Sequence, residues 1–218
     1  MDFRRIVALA AVAASLPLAA AAQQISPQQK APQAPQQFNQ LKAYESCSFP
    51  DGLAITDIQR MPEEIHDRPV QTKSGQKTVP LLAGRRITFA YPGAEPFASV
   101  KLELLPPENY TVNKALLLQD FDDIVASDKS VAKNTTRPPR LSAFSMVGLD
   151  RKELAGNTLG IYMLMDDTTH TVATVYLLNP KQSHFKTIQD YSSHRDAFLY
   201  NYTRCIRNNQ SGILFGVH

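Results

Sequence analysis

The strongest pattern in the chain is the apolar run at 158–179, TLGIYMLMDDTTHTVATVYLLN, broken once by five polar residues. Before the break, Ile161, Met163 and Met165 alternate with Tyr162 and Leu164. After it, Val172, Thr174, Tyr176 and Leu178 alternate with Ala173, Val175 and Leu177. Apolar residues occupy both phases of a two-residue period, which predicts two strands buried on both faces at the centre of a covered sheet. Ile161, Met163 and Met165 point to one face, and Leu159, Tyr162 and Leu164 cannot all avoid the other. Asp166, Asp167, Thr168, Thr169 and His170 read as the turn between the strands.

Other elements follow from the same patterning. Residues 68–91 read as β, with a hairpin turn at Ser74 and Gly75 and clean alternation from Ile87 to Tyr91. In 97–105, Ala98, Val100, Leu102 and Leu104 oppose Ser99, Lys101 and Glu103, which predicts a strand with one wet face. Pro106 and Pro107 end it. In 110–127 the period changes: Leu117, Phe121, Ile124 and Val125 lie on one helix face. Residues 141–149 read as a strand. Thr187 and Asp190 form a capping-box pattern at the head of a last long helix, with Ile188, Tyr191, Phe198, Leu199, Tyr202 and Ile206 as its apolar stripe. Residues 38–46 fit a short helix or a packed arm, and 53–61 fit either helix or strand. The fold class expected is α+β: a mainly antiparallel sheet of about five to seven strands with two main helices packed on it.

The N-terminal stretch changes the picture. Arg4 and Arg5, then a short apolar run from Ile6 to Leu18, then Ala20, Ala21 and Ala22, have the layout of a cleaved secretory signal at 1–22 of bacterial type. Residues 23–37 hold seven Gln, three Pro and two Ala, too little apolar surface to offset ordering, and read as a disordered linker. Residues 38–218 then form one domain. The destination expected is the periplasm or the medium. The formal charge of +3 falls to +2 without Asp2, Arg4 and Arg5, which argues against a nucleic-acid partner. No later run of apolar residues is long enough to cross a bilayer.

Two cysteines in an oxidising compartment predict one structural disulfide, Cys47 to Cys205, joining the first ordered segment to the last helix. The alternatives are an intermolecular bridge or two free thiols. Cys205 lies seven residues after Phe198 and so on the buried face of the helix.

Sequence templates for catalysis are few. HExxH, GxSxG, CxxC, the P-loop and GxGxxG are absent from the sequence. Ser130 with Lys133, and Ser183 with Lys186, match S-x-x-K without the further motifs of penicillin-binding enzymes. No metal site and no cofactor is expected. Asp120, Asp122 and Asp123 point in different directions round a helix and read as a solvated face. Lys129, Lys133, Arg137 and Arg140 lie in one stretch without an acid. They read as a solvated basic loop or as a contact for an anionic envelope surface.

The order of hairpin, helix and paired long strands carrying G-x-x-L-G-I-Y and V-A-T-V-Y-L-L-N, then a final amphipathic helix, resembles the PsbP/Mog1-like α/β/α sandwich over 68–206. The resemblance implies a binding or accessory module, and hence an interaction role. The function expected is an exported, non-catalytic binding or accessory domain of the bacterial cell envelope, with an unidentified envelope partner or small ligand. Two other readings remain: a periplasmic hydrolase using His184 or His194 with Asp190, and a carrier of a small apolar ligand.

Overall fold

The computed structural model describes residues 34–60, 67–72, 75–134, 144–181 and 185–214. The leader read at 1–22 and most of the stretch read as linker lie outside them. In order, the elements are α1 (Ala34–Glu45), β1 (Ala54–Arg60), β2 (Asp67–Thr72), β3 (Gly75–Pro80), β4 (Ala83–Ala90), β5 (Pro96–Leu104), α2 (Pro107–Ser127), β6 (Val131–Asn134), β7 (Phe144–Arg151), β8 (Thr158–Asp166), β9 (Thr171–Leu178) and α3 (Ile188–Leu214). Seven strands form one antiparallel sheet in the order β1-β4-β5-β9-β8-β7-β6, and β2 pairs with β3 in a separate hairpin. The fold is α+β, and the hairpin β8–β9 lies near the centre of the sheet as its apolar pattern requires.

Leu159, three residues before Tyr162, lies at a register shift between Thr158 and Gly160. The extra residue turns Leu159 to the same side as Tyr162 and Leu164, and all three enter one core cluster. That cluster fills the space between one face of the sheet and helices α1 and α3. Its middle is aromatic: Phe49 stacks on Phe198 at 5.4 Å, and Phe89 meets Tyr202 edge-on at 5.3 Å. The opposite face carries a smaller cluster beneath α2, with Tyr110, Leu117 and Phe121 of the helix over Val147, Leu149, Met165 and Val172. Helices therefore cover both faces.

Several expectations need correction. Helix α1 begins at Ala34, inside the stretch read as linker; Gln and Ala favour helix, and Pro35 is tolerated in a first turn. Residues 54–60, ambiguous in sequence, are the edge strand β1, nearly all exposed. Helix α2 starts at Pro107 rather than Tyr110, because a proline at the first helical position lacks only an amide that would be unpaired anyway. Ile124 and Ile188, assigned to buried stripes, are 41% exposed each, the one in the last turn of α2 and the other at the first position of α3. The expected wet face of β5 is largely covered: Glu103 is buried and held by Lys101 at 2.7 Å, and neighbouring Thr174 is buried too. β5 lies between β4 and β9, so its polar row has neighbours on both sides.

Cys47 and Cys205 are bonded, with their Cα atoms 5.7 Å apart and a sequence separation of 158. Cys47 is buried and Cys205 half-buried at the rim of the α1–α3 contact. The chain-entropy relation assigns such a long loop roughly 5 kcal/mol, an upper figure because residual structure in the unfolded chain reduces it. Cys47→Ser and Cys205→Ser should lower the melting temperature by similar amounts, and the double variant should be little worse than either. Thermal unfolding monitored by circular dichroism checks this; strictly additive losses would mean that each cysteine acts by packing instead.

Candidate functional site

The most concentrated polar chemistry among the described residues surrounds Asp150, near the end of β7. Its Oδ2 accepts hydrogen bonds from the Tyr162 hydroxyl at 2.6 Å, Asn134 Nδ2 at 2.8 Å and Arg195 Nη1 at 2.6 Å. Its Oδ1 accepts from the Tyr191 hydroxyl at 2.7 Å. Asn134 Nδ2 also approaches the Tyr162 oxygen at 2.9 Å. Arg195 Nε holds Asp196 at 2.8 Å, and its guanidinium lies 5.7 Å from the centre of the Tyr191 ring. Four elements thus meet on one carboxylate: β6, β7, β8 and α3.

Local sequence explains how they reach it. β7 and β8 pair with Gly148 opposite Tyr162 and Asp150 opposite Gly160. The Tyr162 ring lies over Gly148, where any Cβ would run into it. A Cβ on Gly160 would collide with the Tyr191 hydroxyl and lie 2.8 Å from Asp150 Oδ1. The two strand glycines clear the space that lets a helix tyrosine and a strand tyrosine converge. Tyr191 and Arg195 are four residues apart on α3 and so share its inward face. The helix is started by the predicted cap: Thr187 Oγ1 accepts from the Asp190 amide at 3.0 Å, and Asp190 Oδ2 accepts from the Lys186 amide at 3.1 Å.

Asp150 and Arg195 keep little exposure, 13% and 10% of their side chains. A carboxylate so buried is tolerated because a cation and three neutral donors surround it. Burial pushes the Tyr162 and Tyr191 hydroxyls well above the ordinary phenol range, and the negative charge of Asp150 adds to this. For Arg195, burial works against the charge, but Asp196, Tyr162 and Asp150 more than offset it and the guanidinium is held charged.

The structure does not bring the sequence-derived candidates together. His194 is half-exposed on α3; its Nδ1 lies 2.9 Å from the Asp190 carbonyl and 3.3 Å from Asp190 Oδ1, with its ring beside Phe185 and Phe97. His184, Arg137 and Arg140 lie outside the described residues. Lys129 is exposed, while Lys133 is ion-paired with Asp122, so one member of the basic stretch is already neutralised from α2. Among the described residues, no group of three or more His, Cys, Asp or Glu is placed to hold a metal ion.

Sequence reading passed over Asp150, Asn134, Tyr162, Tyr191 and Arg195 as a group. Their separation along the chain hides them, and the one available signal was a glycine within each of two otherwise apolar strands. No known family, no curated protein and no solved structure matches this chain.

Asp150→Ala should cost about 3–5 kcal/mol, because it leaves Arg195 and two hydroxyls without their acceptor. Tyr162→Phe and Tyr191→Phe should each cost about 1.5–3 kcal/mol, and neither should add its full cost to Asp150→Ala. Urea denaturation of the single and paired variants measures all of these. The tyrosines also set an alkaline limit. Below about pH 10 they are neutral in both states and their contribution is complete; above it the unfolded chain releases protons that the fold retains, so stability falls as pH rises. Phenolate absorbance from the buried tyrosines should therefore appear together with unfolding, not before it. A smooth rise on an intact fold would contradict the assignment.

Proposed function

We propose that the chain is an exported, non-catalytic binding or accessory domain of the bacterial cell envelope. The observation that carries this reading is the commitment of Asp150. Every donor around it comes from the framework, so the densest polar cluster braces α3 against β6, β7 and β8. Contact with a partner then falls to the outer surface. The signal-like leader and the Cys47–Cys205 bond support the oxidising compartment in this reading. The PsbP/Mog1-like resemblance is carried as part of the proposal, for the interaction role it implies.

The hydrolase reading draws less support. Asp190 uses its carboxylate to cap α3, and its pairing with His194 is a neighbouring-turn contact within one helix. For an anionic envelope surface, Lys129 with Lys133, Arg137 and Arg140 is the proposed contact.

The deciding experiment is capture of envelope proteins and polymers by the mature domain, with mass-spectrometric identification. A single saturable partner is expected. Turnover of a chromogenic ester or peptide, abolished by His194→Ala, would replace the proposal with the hydrolase reading, and co-purified lipid with the carrier reading. Replacing the four basic residues together should abolish any salt-sensitive binding to anionic liposomes; unchanged binding, or none at low salt, would remove that contact.

A further inference from the structure

We infer that the β8–β9 turn is a mechanical coupler between the two helical layers, so that loosening α2 loosens α1 and α3. Asp166 and Asp167 are consecutive and aim at opposite faces of the sheet. Asp166 is fully buried. Its Oδ2 accepts from Gln210 Nε2 of α3 at 2.6 Å and from the Tyr44 hydroxyl of α1 at 3.5 Å. Asp167 Oδ1 accepts from the Tyr110 hydroxyl and from Lys114 Nζ of α2, each at 2.7 Å. Two neighbouring carboxylates therefore touch all three described helices.

The turn transmits because its own backbone is tied to the same groups. Asp166 Oδ1 accepts from the Thr168 amide at 2.9 Å and the Thr169 amide at 3.4 Å, the two residues that follow Asp167. The His170 amide returns to the Asp166 carbonyl at 2.9 Å, and the His170 carbonyl takes the Leu105 amide at 3.1 Å, just ahead of α2. His170 sits at φ 57°, a left-handed conformation that few non-glycine residues adopt, and its ring lies 5.3 Å from Tyr110. Asp167 cannot follow α2 away from the sheet without breaking the bonds that position Asp166. Losing those bonds releases the acceptor of Tyr44 and Gln210.

Α partner on the outer side of α2, where Val112 and Leu118 are exposed, would through this device be felt at α1. That use rests on the binding-domain reading; the coupling itself is a property of the chain alone and is tested without a partner.

The test is native-state hydrogen exchange, read by mass spectrometry on the full chain. Tyr110→Phe with Lys114→Met removes both α2 contacts to Asp167 and leaves the turn sequence intact. Exchange should speed about three- to tenfold in the first turns of α2, and likewise at 41–45 and 207–211. Val125→Ala, which loosens α2 at its far end, should speed exchange in α2 only. Acceleration confined to α2 in both variants would overturn the coupling. So would equal acceleration in every element, which marks global unfolding. Should the double variant not fold, Asp167→Asn, which keeps the acceptor and drops the charge, is held to the same pattern on a smaller scale.

Discussion

A buried carboxylate must have its oxygens filled by donors, and this requirement fixes how the longest helix lies on the sheet. Helix α3 meets two such groups. Near its start Tyr191 and Arg195 reach Asp150 of β7, and near its end Gln210 reaches Asp166 of β8. The aromatic packing between them, Phe198 and Tyr202 against Phe49 and Phe89, gains most of the burial energy but depends weakly on direction. Sliding α3 by one turn could rebuild much of the apolar contact. It could not rebuild both carboxylate sites, whose donors are five turns apart. Hydrophobic burial supplies the affinity of helix for sheet, and the two acids supply the register.

The same logic extends across the sheet. Strand geometry turns successive side chains to opposite faces. Asp166 closes the α1–α3 side, and Asp167, one residue on, closes the α2 side. The disulfide acts at a third point, fastening the end of α1 to α3 beside the end that Asp166 holds. Helix α1, short and flanked by a Gln- and Pro-rich stretch, would be a marginal helix alone. Buried Leu41 and Tyr44, the Arg85–Glu45 ion pair at 3.1 Å and the bond at Cys47 make it part of the core.

What was legible in the sequence was whatever depends on periodicity. The central hairpin, β5, α2, α3 and its cap all follow from spacing that any window of ten residues displays. The Cys47–Cys205 pairing follows from there being only two cysteines. Less legible were features decided by neighbours distant in sequence. Glu103 looked solvated because alternation cannot show a polar row hemmed in by neighbouring strands and by its own ion pair with Lys101. Ile124 and Ile188 looked buried because periodicity does not show how far the packed part of a helix extends. Asp150 looked like the start of a charged turn, Asp150-Arg151-Lys152-Glu153, and its partners are spread from Asn134 to Arg195. Asp166 looked like a turn residue and is one, but it is also the most enclosed acid in the hairpin.

The direction of the perturbed proton affinities around Asp150 suits a brace between elements. Groups that exchange protons during catalysis work best when their pKa values are drawn toward the ambient pH. Around Asp150 the movement is the other way. Tyr162 and Tyr191 are driven further above neutrality by burial and by the carboxylate, and Arg195 is held more firmly charged. Each shift deepens the protonation state that the hydrogen bonds require. Near neutral pH the tyrosines remain donors, the arginine remains a cation, and the carboxylate remains surrounded. From neutral pH up to the alkaline limit the donors around the carboxylate keep their protons, as a joint between a helix and three strands requires.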